Sequence, residues 1–526
     1  MSSWPLTQKA RALLQREQGA IVRDWGGRLP IVLIYPNSYY VGMSSLGFQT
    51  VYGLFNSFSD IICERAFLNL GRGESDVEPI SLESQRPLQD FPVVGFSLSY
   101  ELDYANMIRI LRAAGIPPLA DERRLSPLVI AGGPAVTANP APIAPIADAI
   151  MIGEVEETMP ALVRALEATI ESGALLQPLA EVPGLYVPAI HHSRGAVRRL
   201  WTRDLDSWRT CSSVWSDFTE FPGMHLVEVA RGCGHACRFC LAGHVYRPLR
   251  ERSVAAVLEL AEPGVAAGRT IGLMAPSLAD CRSLRPVLQE LLKRGARVSV
   301  SSLRADSLDE ALVRQLVASG NDSITIAPEA GSERLRRLIG KQLEMADILA
   351  AADAADGLGF KELKLYFMLG LPTETDADVA ELAALVLEVR RRFSRRLVAN
   401  VSCFVPKAGT PFQWQAMAPV TVLERRLLAL QVALHGARVE LRAESPRWAL
   451  LQAVFARGDE RVGRALAAAR QWSRQGLMRA LRDGGVDVDA VVGARRIGEP
   501  MPWDVVDPGL PPGYLSRQAS AISQQG

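Results

Sequence analysis

Apolar runs that alternate with amphipathic stretches divide this chain into two series of predicted strands and helices. In the first series, runs of consecutive apolar residues predict buried strands at 31–35, 93–99, 128–131 and 149–152. Apolar residues at helical spacing predict helices between these strands. Continuous apolar strands separated by helices are typical of a parallel sheet that is covered on both faces. We therefore expect an α/β fold that opens with a doubly wound, Rossmann-like domain.

A second series begins at His225. Its predicted strands, with amphipathic helices between them, lie at 226–230, 270–275, 298–303, 323–327, 363–369 and 399–405. Six such units are two fewer than a closed (β/α)8 barrel contains. Functional groups are expected at the carboxyl ends of these strands, where loops vary while the sheet stays rigid.

The regions between and after these series set the predicted domain boundaries. The pattern loosens between residues 182 and 221, and we place the first boundary near residue 210. The predicted regions are a Rossmann-like domain with its linker at 1–210, a second α/β domain at 211–418, and a helical carboxyl-terminal region at 419–507. The last residues, 508–526, are rich first in Pro and Gly and then in Ser and Gln, a composition typical of disorder.

Composition narrows the class of protein. The chain has 526 residues, of which 48% are hydrophobic and 22% charged, and its formal net charge is +1. This near-neutral charge gives no electrostatic case for nucleic acid or an acidic membrane as a general partner. The sequence shows neither a signal-peptide pattern nor a run of about 18 apolar residues, so we expect a cytoplasmic protein without membrane contact.

A basic run at 390–396 places five arginines within seven residues. Such a run could bind phosphate, RNA or an acidic electron donor. It also ends a predicted helix, where the helix dipole favours cations. A solvated helix end is the interpretation that we favour, and nucleic acid is not an expected partner.

Three of the seven cysteines, Cys233, Cys237 and Cys240, are spaced Cys-x3-Cys-x2-Cys directly after a predicted strand. Thiolates suit zinc or iron–sulfur clusters. A structural zinc normally takes four protein ligands, and here the fourth is not obvious. A zinc knuckle completed by His235 or His244 therefore stays an alternative to a cubic [4Fe–4S] cluster that keeps one iron free.

The cysteine spacing, with the aromatic Phe239 just before the last cysteine, resembles the radical S-adenosylmethionine (radical SAM) superfamily. In that superfamily the three cysteines hold a [4Fe–4S] cluster, and its free iron binds S-adenosylmethionine (SAM). An electron from a low-potential donor such as flavodoxin or ferredoxin then splits SAM and leaves a 5′-deoxyadenosyl radical. The resemblance implies that the second domain is a partial (β/α)6 radical SAM barrel, open on one side.

The resemblance also implies a set of SAM contacts at the predicted strand ends. Glu329 would accept hydrogen bonds from the ribose hydroxyls, and Lys341 would pair with the methionine carboxylate. Many members carry Gly-Gly-Glu after the second strand, where this chain has 275–277, Ala-Pro-Ser. For Arg304 and Lys341 a surface ion pair is the alternative. The implied contacts are Phe239, Ser302, Arg304, Glu329, Lys341, Gly370 and Pro372.

The first domain resembles the cobalamin-binding domain that precedes the radical core in one branch of the superfamily. The resemblance rests on the turn at 131–134 and on the segment 148–156, and it implies corrin contacts at Gly132, Gly133, Gly153 and Glu154. Many such domains give cobalt a histidine, yet the first histidine of this chain is His191. Either a corrin is held without a protein histidine, or the fold persists without the cofactor.

Together these residues predict a radical SAM enzyme, similar to a subfamily with an amino-terminal cobalamin-binding-type domain. If cobalamin binds, methyl transfer to an unactivated carbon is the expected reaction. The alternatives are a cobalamin-independent rearrangement or cyclisation and, in a different class, a zinc-stabilised RNA-binding module. Methylthiotransferases are disfavoured, because they need three amino-terminal cysteines and this chain has only Cys63 before residue 200.

Overall fold

The computed structural model describes residues 4–70, 78–123, 127–173, 175–191, 195–301 and 303–523. In chain order the strands are β1 (Leu29–Ser38), β2 (Ile61–Asn69), β3 (Val93–Ser97), β4 (Leu128–Gly132), β5 (Ala149–Met151), β6 (Leu185–Tyr186), β7 (Val197–Arg198), β8 (Met224–Glu228), β9 (Ala230–Arg231), β10 (Arg250–Glu251), β11 (Thr270–Met274), β12 (Val298–Val300), β13 (Ser323–Glu329), β14 (Glu362–Leu369), β15 (Arg396–Cys403), β16 (Val439–Ala443) and β17 (Val506–Asp507).

The α-helices are α1 (Trp4–Leu14), α2 (Tyr39–Met43), α3 (Leu46–Phe55), α4 (Asp103–Ala113), α5 (Pro134–Ala138), α6 (Met159–Glu171), α7 (Gln177–Ala180), α8 (Pro188–His191), α9 (Val254–Ala266), α10 (Leu284–Lys293), α11 (Glu310–Ala318), α12 (Glu333–Leu338), α13 (Met345–Gly357), α14 (Asp376–Arg392), α15 (Val420–Ala433), α16 (Pro446–Arg457), α17 (Glu460–Ala468), α18 (Arg474–Asp483), α19 (Val488–Val492) and α20 (Tyr514–Ser523).

The first domain is built on a sheet with the order β2-β1-β3-β4-β5-β6. The first five strands run parallel, and β6 pairs antiparallel with β5. The order 2-1-3-4-5 is a doubly wound order whose direction switches between β1 and β3, and ligands bind outside the carboxyl ends at such a switch point. The predicted α/β fold is confirmed.

Strand β2 was not predicted, because Glu64 and Arg65 interrupt its apolar run. Both side chains are buried. Arg65 forms ion pairs of 2.6 Å with Glu17 and 2.7 Å with Glu83, and Glu64 accepts a 2.7 Å hydrogen bond from the Trp25 indole. Buried charges persist when they are paired in this way, and the partners are too distant in sequence for the local pattern to show.

The second domain has one more strand than the predicted (β/α)6 barrel. Strands β8, β11 and β12 run parallel, and so do β13 to β16. A bridge between Leu303 and Ile326 joins the two groups. The extra strand, β16, lies in a region that was predicted to be helical. The sequence gives little sign of this strand, because it has only five residues and two of them are charged. One of these, Glu440, pairs with Arg396 of β15 at 2.8 Å.

The helices that follow this second sheet pack on the first one. Leu451, Phe455 and Leu466 share a buried core with residues of β3 and α4. The Phe455 ring stacks on Tyr104 with ring centroids 6.4 Å apart. The carboxyl-terminal helices α16 to α18 therefore complete the core of the first domain.

The prediction of disorder for 508–526 is wrong for the described part, which ends at residue 523. Helix α20 lies in this part of the chain and buries Ala519 and Ile522 to 2% and 3% exposure. They join an apolar cluster that includes Phe412 and Trp503. Composition misled here because a few apolar residues at helical spacing are enough to dock one helix. None of the described helices combines the length and the apolar character needed to cross a bilayer.

The first residue of α4, Asp103, gives a pH-dependent prediction. It is 3% exposed, accepts hydrogen bonds from Asn37 and Asn106, and has its pKa raised to about 6, mainly by burial. Between about pH 4 and pH 6 the folded state keeps a proton that the unfolded state has lost, so stability falls as pH rises. We expect Asp103→Asn to be more stable than the unmodified protein by about 3 kcal/mol at pH 7.5.

This gain should vanish below about pH 4, where the carboxyl is protonated in both states. Unfolding curves of both proteins, followed by circular dichroism from pH 4 to pH 8, measure the difference. A gain that does not change with pH would show that Asp103 does not titrate in this range.

Candidate active site

Residues 232–249, called here the cysteine loop, connect β9 to β10. The two short strands pair antiparallel, with Arg231 opposite Arg250. Gly232 has a φ of +81°, and a Cβ there would lie 2.4 Å from the Tyr246 carbonyl oxygen, so only glycine fits this turn. The loop therefore leaves the sheet and returns to it within one tight closure.

The three cysteine thiols of this loop are half-buried and act on one another electrostatically. Burial raises the pKa of Cys237 to about 11, and the neighbouring Cys240 and Cys233 add to the rise. Burial also raises the pKa of Cys240, whose thiol accepts hydrogen bonds from the backbone of Ala242 and Gly243. Metals bind thiolates, so a metal must displace these protons. Three adjacent thiols on one loop are a donor set that suits a [4Fe–4S] cluster.

The zinc alternative finds no fourth ligand in the described residues. The His235 ring bonds Asp280 at 2.6 Å, and His244 lies 3.1 Å from the Cys237 carbonyl oxygen. No group of three or more His, Cys, Asp or Glu side chains in the described ranges is arranged to hold a single metal ion. The arrangement of these side chains therefore does not decide between zinc and an iron–sulfur cluster, and membership in a family must decide it.

The far side of the cysteine loop is held by the end of α12. The Arg238 N–H donates to the Ile339 carbonyl at 2.8 Å. Gly340, with a φ of +75°, lies so close that a Cβ would stand 2.9 Å from the Ala236 carbonyl oxygen. Phe239, an implied SAM contact, packs against the apolar cluster that contains Ile339. Its ring therefore also anchors the loop.

Glu329 and Lys341 lie together beside the cysteines. They form a 3.0 Å ion pair with side chains that are 16% and 10% exposed. The charge of Lys341 lowers the pKa of Cys237, and that of Glu329 raises the pKa of Cys240, so both stand near the thiols. Glu329 has a φ of +68°, a backbone angle that residues other than glycine seldom adopt. The structure thus brings the implied ribose and carboxylate contacts to the cysteine loop.

Arg304 reaches the same place from the loop after β12. Its charge also acts on Cys237, and its guanidinium binds Asp306 at 3.0 and 2.6 Å. Arg304 thus forms an ion pair, as the alternative interpretation expects, but the pair is not on the surface because the Arg304 side chain is largely buried. Its neighbour Ser302 lies outside the described residues.

The turn after β14 contains Gly370 and Pro372. Gly370 has a φ of +85° and donates its N–H to Glu374 at 2.6 Å. Glu374 in turn pairs with Arg426 at 2.7 Å. The turn is therefore fixed by hydrogen bonds at the carboxyl end of its strand, and its contact with SAM stays a prediction.

Asp280 was missed by the sequence reasoning. It follows 275–277, the segment that replaces Gly-Gly-Glu, and accepts hydrogen bonds from His235 and from Ser307 at 3.1 Å. The sign in the sequence that could have pointed to it is its place, a carboxylate three residues after the turn that ends a predicted strand. Asp280 ties the cysteine loop to the loops after β11 and β12.

A cavity of about 520 Å³ lies between the two domains. Gly132, Gly133, Gly153 and Glu154, the implied corrin contacts, line it together with apolar residues of α3 and the first sheet. Gly133 has a φ of +119°, and a Cβ would stand 2.5 Å from the Leu98 carbonyl oxygen. The opposite wall includes the start of the cysteine loop and the end of β11. The carboxyl ends of both sheets therefore face one space.

The arginines at 390–396 are engaged away from this space. Arg391 pairs with Glu388, Arg392 with Asp353 and Arg395 with Asp356. These contacts support the interpretation of the run as a solvated helix end.

Comparison with known proteins decides the family. The model for radical SAM proteins, N-terminal, matches residues 47–188, and that for the radical SAM superfamily matches residues 227–386. An uncharacterized protein of Methanocaldococcus jannaschii is 31% identical over 442 residues, covering 83% of this chain and 90% of that protein. The chain belongs to the radical SAM superfamily.

This radical SAM chain has further relatives over shorter spans. Ribosomal protein uS12 methylthiotransferase RimO of Desulfotalea psychrophila is 31% identical over 183 residues, 31% of this chain and 40% of that protein. An apo structure of the cobalamin-dependent S-adenosylmethionine radical enzyme OxsB matches with a TM-score of 0.51 and 17% identity. The match covers 68% of this chain and 52% of the OxsB chain, and at this identity it shows a shared fold.

Membership in the radical SAM superfamily implies a [4Fe–4S] cluster and SAM as cofactors. The three adjacent thiols of the cysteine loop fit that cluster. Membership makes the chain an enzyme and removes the alternative of a zinc-stabilised RNA-binding module. It also means that the enzyme needs a reductant.

Proposed function

We propose that this radical SAM enzyme binds a corrin in the interdomain cavity and transfers a methyl group to an unactivated carbon. The observation that carries the proposal is the cavity itself, which has the cysteine loop in one wall and the switch point of a doubly wound sheet in the other. The fold shared with OxsB, a cobalamin-dependent enzyme, supports it.

The cavity wall suits a large, mainly apolar ligand. Phe48, Leu54 and Met159 form part of one side, and Gly132 and Gly133 let a ligand approach the backbone closely. The sequence has no histidine before His191. A corrin here would be held by shape and backbone contacts, without a histidine from residues 1–190.

When bound, the cluster supplies the electron that cleaves SAM, and a corrin supplies a carrier for the methyl group. The chain's own residues bind and orient these groups. Cys233, Cys237 and Cys240 hold the cluster, while Lys341 and Glu329 would take the carboxylate and ribose hydroxyls of SAM. The apolar wall keeps water away from reactive intermediates. A low-potential donor such as flavodoxin or ferredoxin is the proposed reductant.

Two other reactions have less support. Methylthiotransferases match only part of the chain, and Cys63, the one cysteine before residue 200, is buried. A cobalamin-independent rearrangement or cyclisation agrees with the lack of a histidine before His191. Measuring whether the protein binds a corrin distinguishes this reaction from the proposed methyl transfer.

The test is anaerobic reconstitution with iron, sulfide and hydroxocobalamin, followed by desalting and quantitation of metal and corrin. We expect about four irons, as in a [4Fe–4S] cluster, and equimolar corrin. Gly132→Leu, which puts a side chain into the cavity wall, should lose the corrin and keep the iron. Gly357→Leu, in open space on α13, is the matched control and should keep both. About four irons without corrin in the unmodified protein would contradict the proposal.

A further inference from the structure

Buried and half-buried charges join the first domain to the base of the cysteine loop. They form what we call the interface charge network: Glu154, Glu156, Glu228, Arg231, Arg250 and Arg252. Its three carboxylates balance its three guanidinium groups. Since charges removed from water are stable only when paired, each member depends on the others for its position.

Arg231 is the centre of this network. Its guanidinium lies 2.9 Å from Glu154, 2.7 Å from Glu156 and 2.9 Å from Glu228. It contacts three carboxylates from two domains, and it stands two residues before Cys233 in the sequence. The position of Arg231 therefore helps to set where the cysteine loop begins, at Gly232.

Glu154 is fixed from two further directions. Arg250, opposite Arg231 in the β9–β10 pair, donates two hydrogen bonds to its carboxylate at 2.8 and 2.9 Å. The Thr202 N–H donates a third at 2.8 Å. With its side chain 5% exposed, Glu154 fastens both ends of the cysteine loop to the carboxyl end of β5.

The network also belongs to the wall of the interdomain cavity, which Glu154, Glu156, Glu228 and Arg231 line. A ligand that enters the cavity meets the same side chains that hold the cysteine loop. The cavity and the cluster thus share one set of ion pairs.

We propose that Glu154 is a positioning residue for the cluster, acting through Arg231, and that it links the cluster environment to the interdomain cavity. The resemblance to cobalamin-binding domains implied a corrin contact for Glu154, and its contacts with Arg231 and Arg250 give it this other role. The inference depends on the cluster and not on the identity of the cavity ligand, so it stands or falls separately from corrin binding.

The test compares Glu154→Gln, Arg231→Met and the double variant with the unmodified full chain after cluster reconstitution. Glutamine keeps the shape and the Thr202 contact of Glu154 but removes its charge. The readouts are iron per chain and the electron paramagnetic resonance spectrum of the reduced cluster during SAM titration. We expect each single variant to shift the spectrum and to weaken SAM binding about tenfold, the lower end of the loss in metal affinity or activity when a hydrogen-bond partner of a metal ligand is removed. The double variant should be no worse than the worse single one.

Glu101→Gln is the matched control. Glu101 is also buried and joins the two domains through a 2.5 Å pair with Lys407, and its partners Lys407 and Gln452 lie outside the cysteine loop. It should keep the unmodified spectrum and SAM affinity. If Glu154→Gln fails to fold by circular dichroism, Glu156→Gln removes one carboxylate from Arg231, leaves the Glu154–Arg250 pair, and should give a smaller shift.

Three results would overturn the inference. The first is an unchanged spectrum and SAM affinity in folded Glu154→Gln, or in Glu156→Gln where Glu154→Gln does not fold. The second is an equal change in Glu101→Gln, which would reflect the domain interface in general. The third is a double variant whose loss is the product of the two single losses, because independent residues add their free energies.

Discussion

Replacing Cys237 with alanine is expected to reduce SAM cleavage to the level of the reaction without enzyme. Cys237 is the middle cysteine of the cysteine loop and a proposed cluster ligand, and its thiol feels the charges of both Lys341 and Arg304. A cluster held by the remaining two thiolates would lose its place beside these proposed SAM contacts. The measurement is 5′-deoxyadenosine formed after anaerobic reconstitution and chemical reduction, together with iron per chain.

Cys281→Ala is the control for this variant. The Cys281 thiol is buried, bonds the Ser277 carbonyl at 3.6 Å and feels the charge of Cys233, yet it lies outside the cysteine loop. Its loss should leave iron content and SAM cleavage close to normal. Circular dichroism should show that Cys237→Ala stays folded. A folded Cys237→Ala protein that still made 5′-deoxyadenosine would overturn the cluster assignment.

The parts of the fold that the sequence predicts are those in which local pattern and burial agree. Strands such as β1, β3 and β4 are continuous apolar runs because both faces of a parallel sheet are buried. Strand β2 escaped prediction because Arg65 sits in its interior, and the carboxylates that make this possible lie 48 and 18 residues away. Local reasoning has no access to such partners.

The candidate site follows the same division. The spacing of Cys233, Cys237 and Cys240 predicts a set of three cluster ligands within one loop. Glu329 and Lys341 are found from the resemblance, and the structure brings them together at 3.0 Å. The ion pairs of Glu154 with Arg231 and Arg250, 77 and 96 residues away, depend on how two domains meet, which no local pattern encodes.

The second prediction with a large expected effect concerns α20, the helix that composition failed to predict. Ile522 and Ala519 pack into the apolar cluster of Phe404, Phe412 and Trp503, against which Phe239 and Leu241 of the cysteine loop also pack. Tyr514, at the start of α20, accepts a 2.8 Å hydrogen bond from Arg247 of the same loop. The helix therefore covers the outer side of the cysteine loop.

Ile522→Asp is expected to release α20, since it puts a charge into an apolar site and costs about 3 to 5 kcal/mol. Ser520→Asp adds the same charge on the exposed face of the same helix and should change little. We expect Ile522→Asp to lower the unfolding temperature and to speed the loss of cluster absorbance in air, because water and oxygen then reach the loop. Equal bleaching rates for the two variants would mean that α20 does not protect the iron–sulfur cluster, since only Ile522→Asp loses the side chain that joins the helix to the apolar cluster of Phe412 and Trp503.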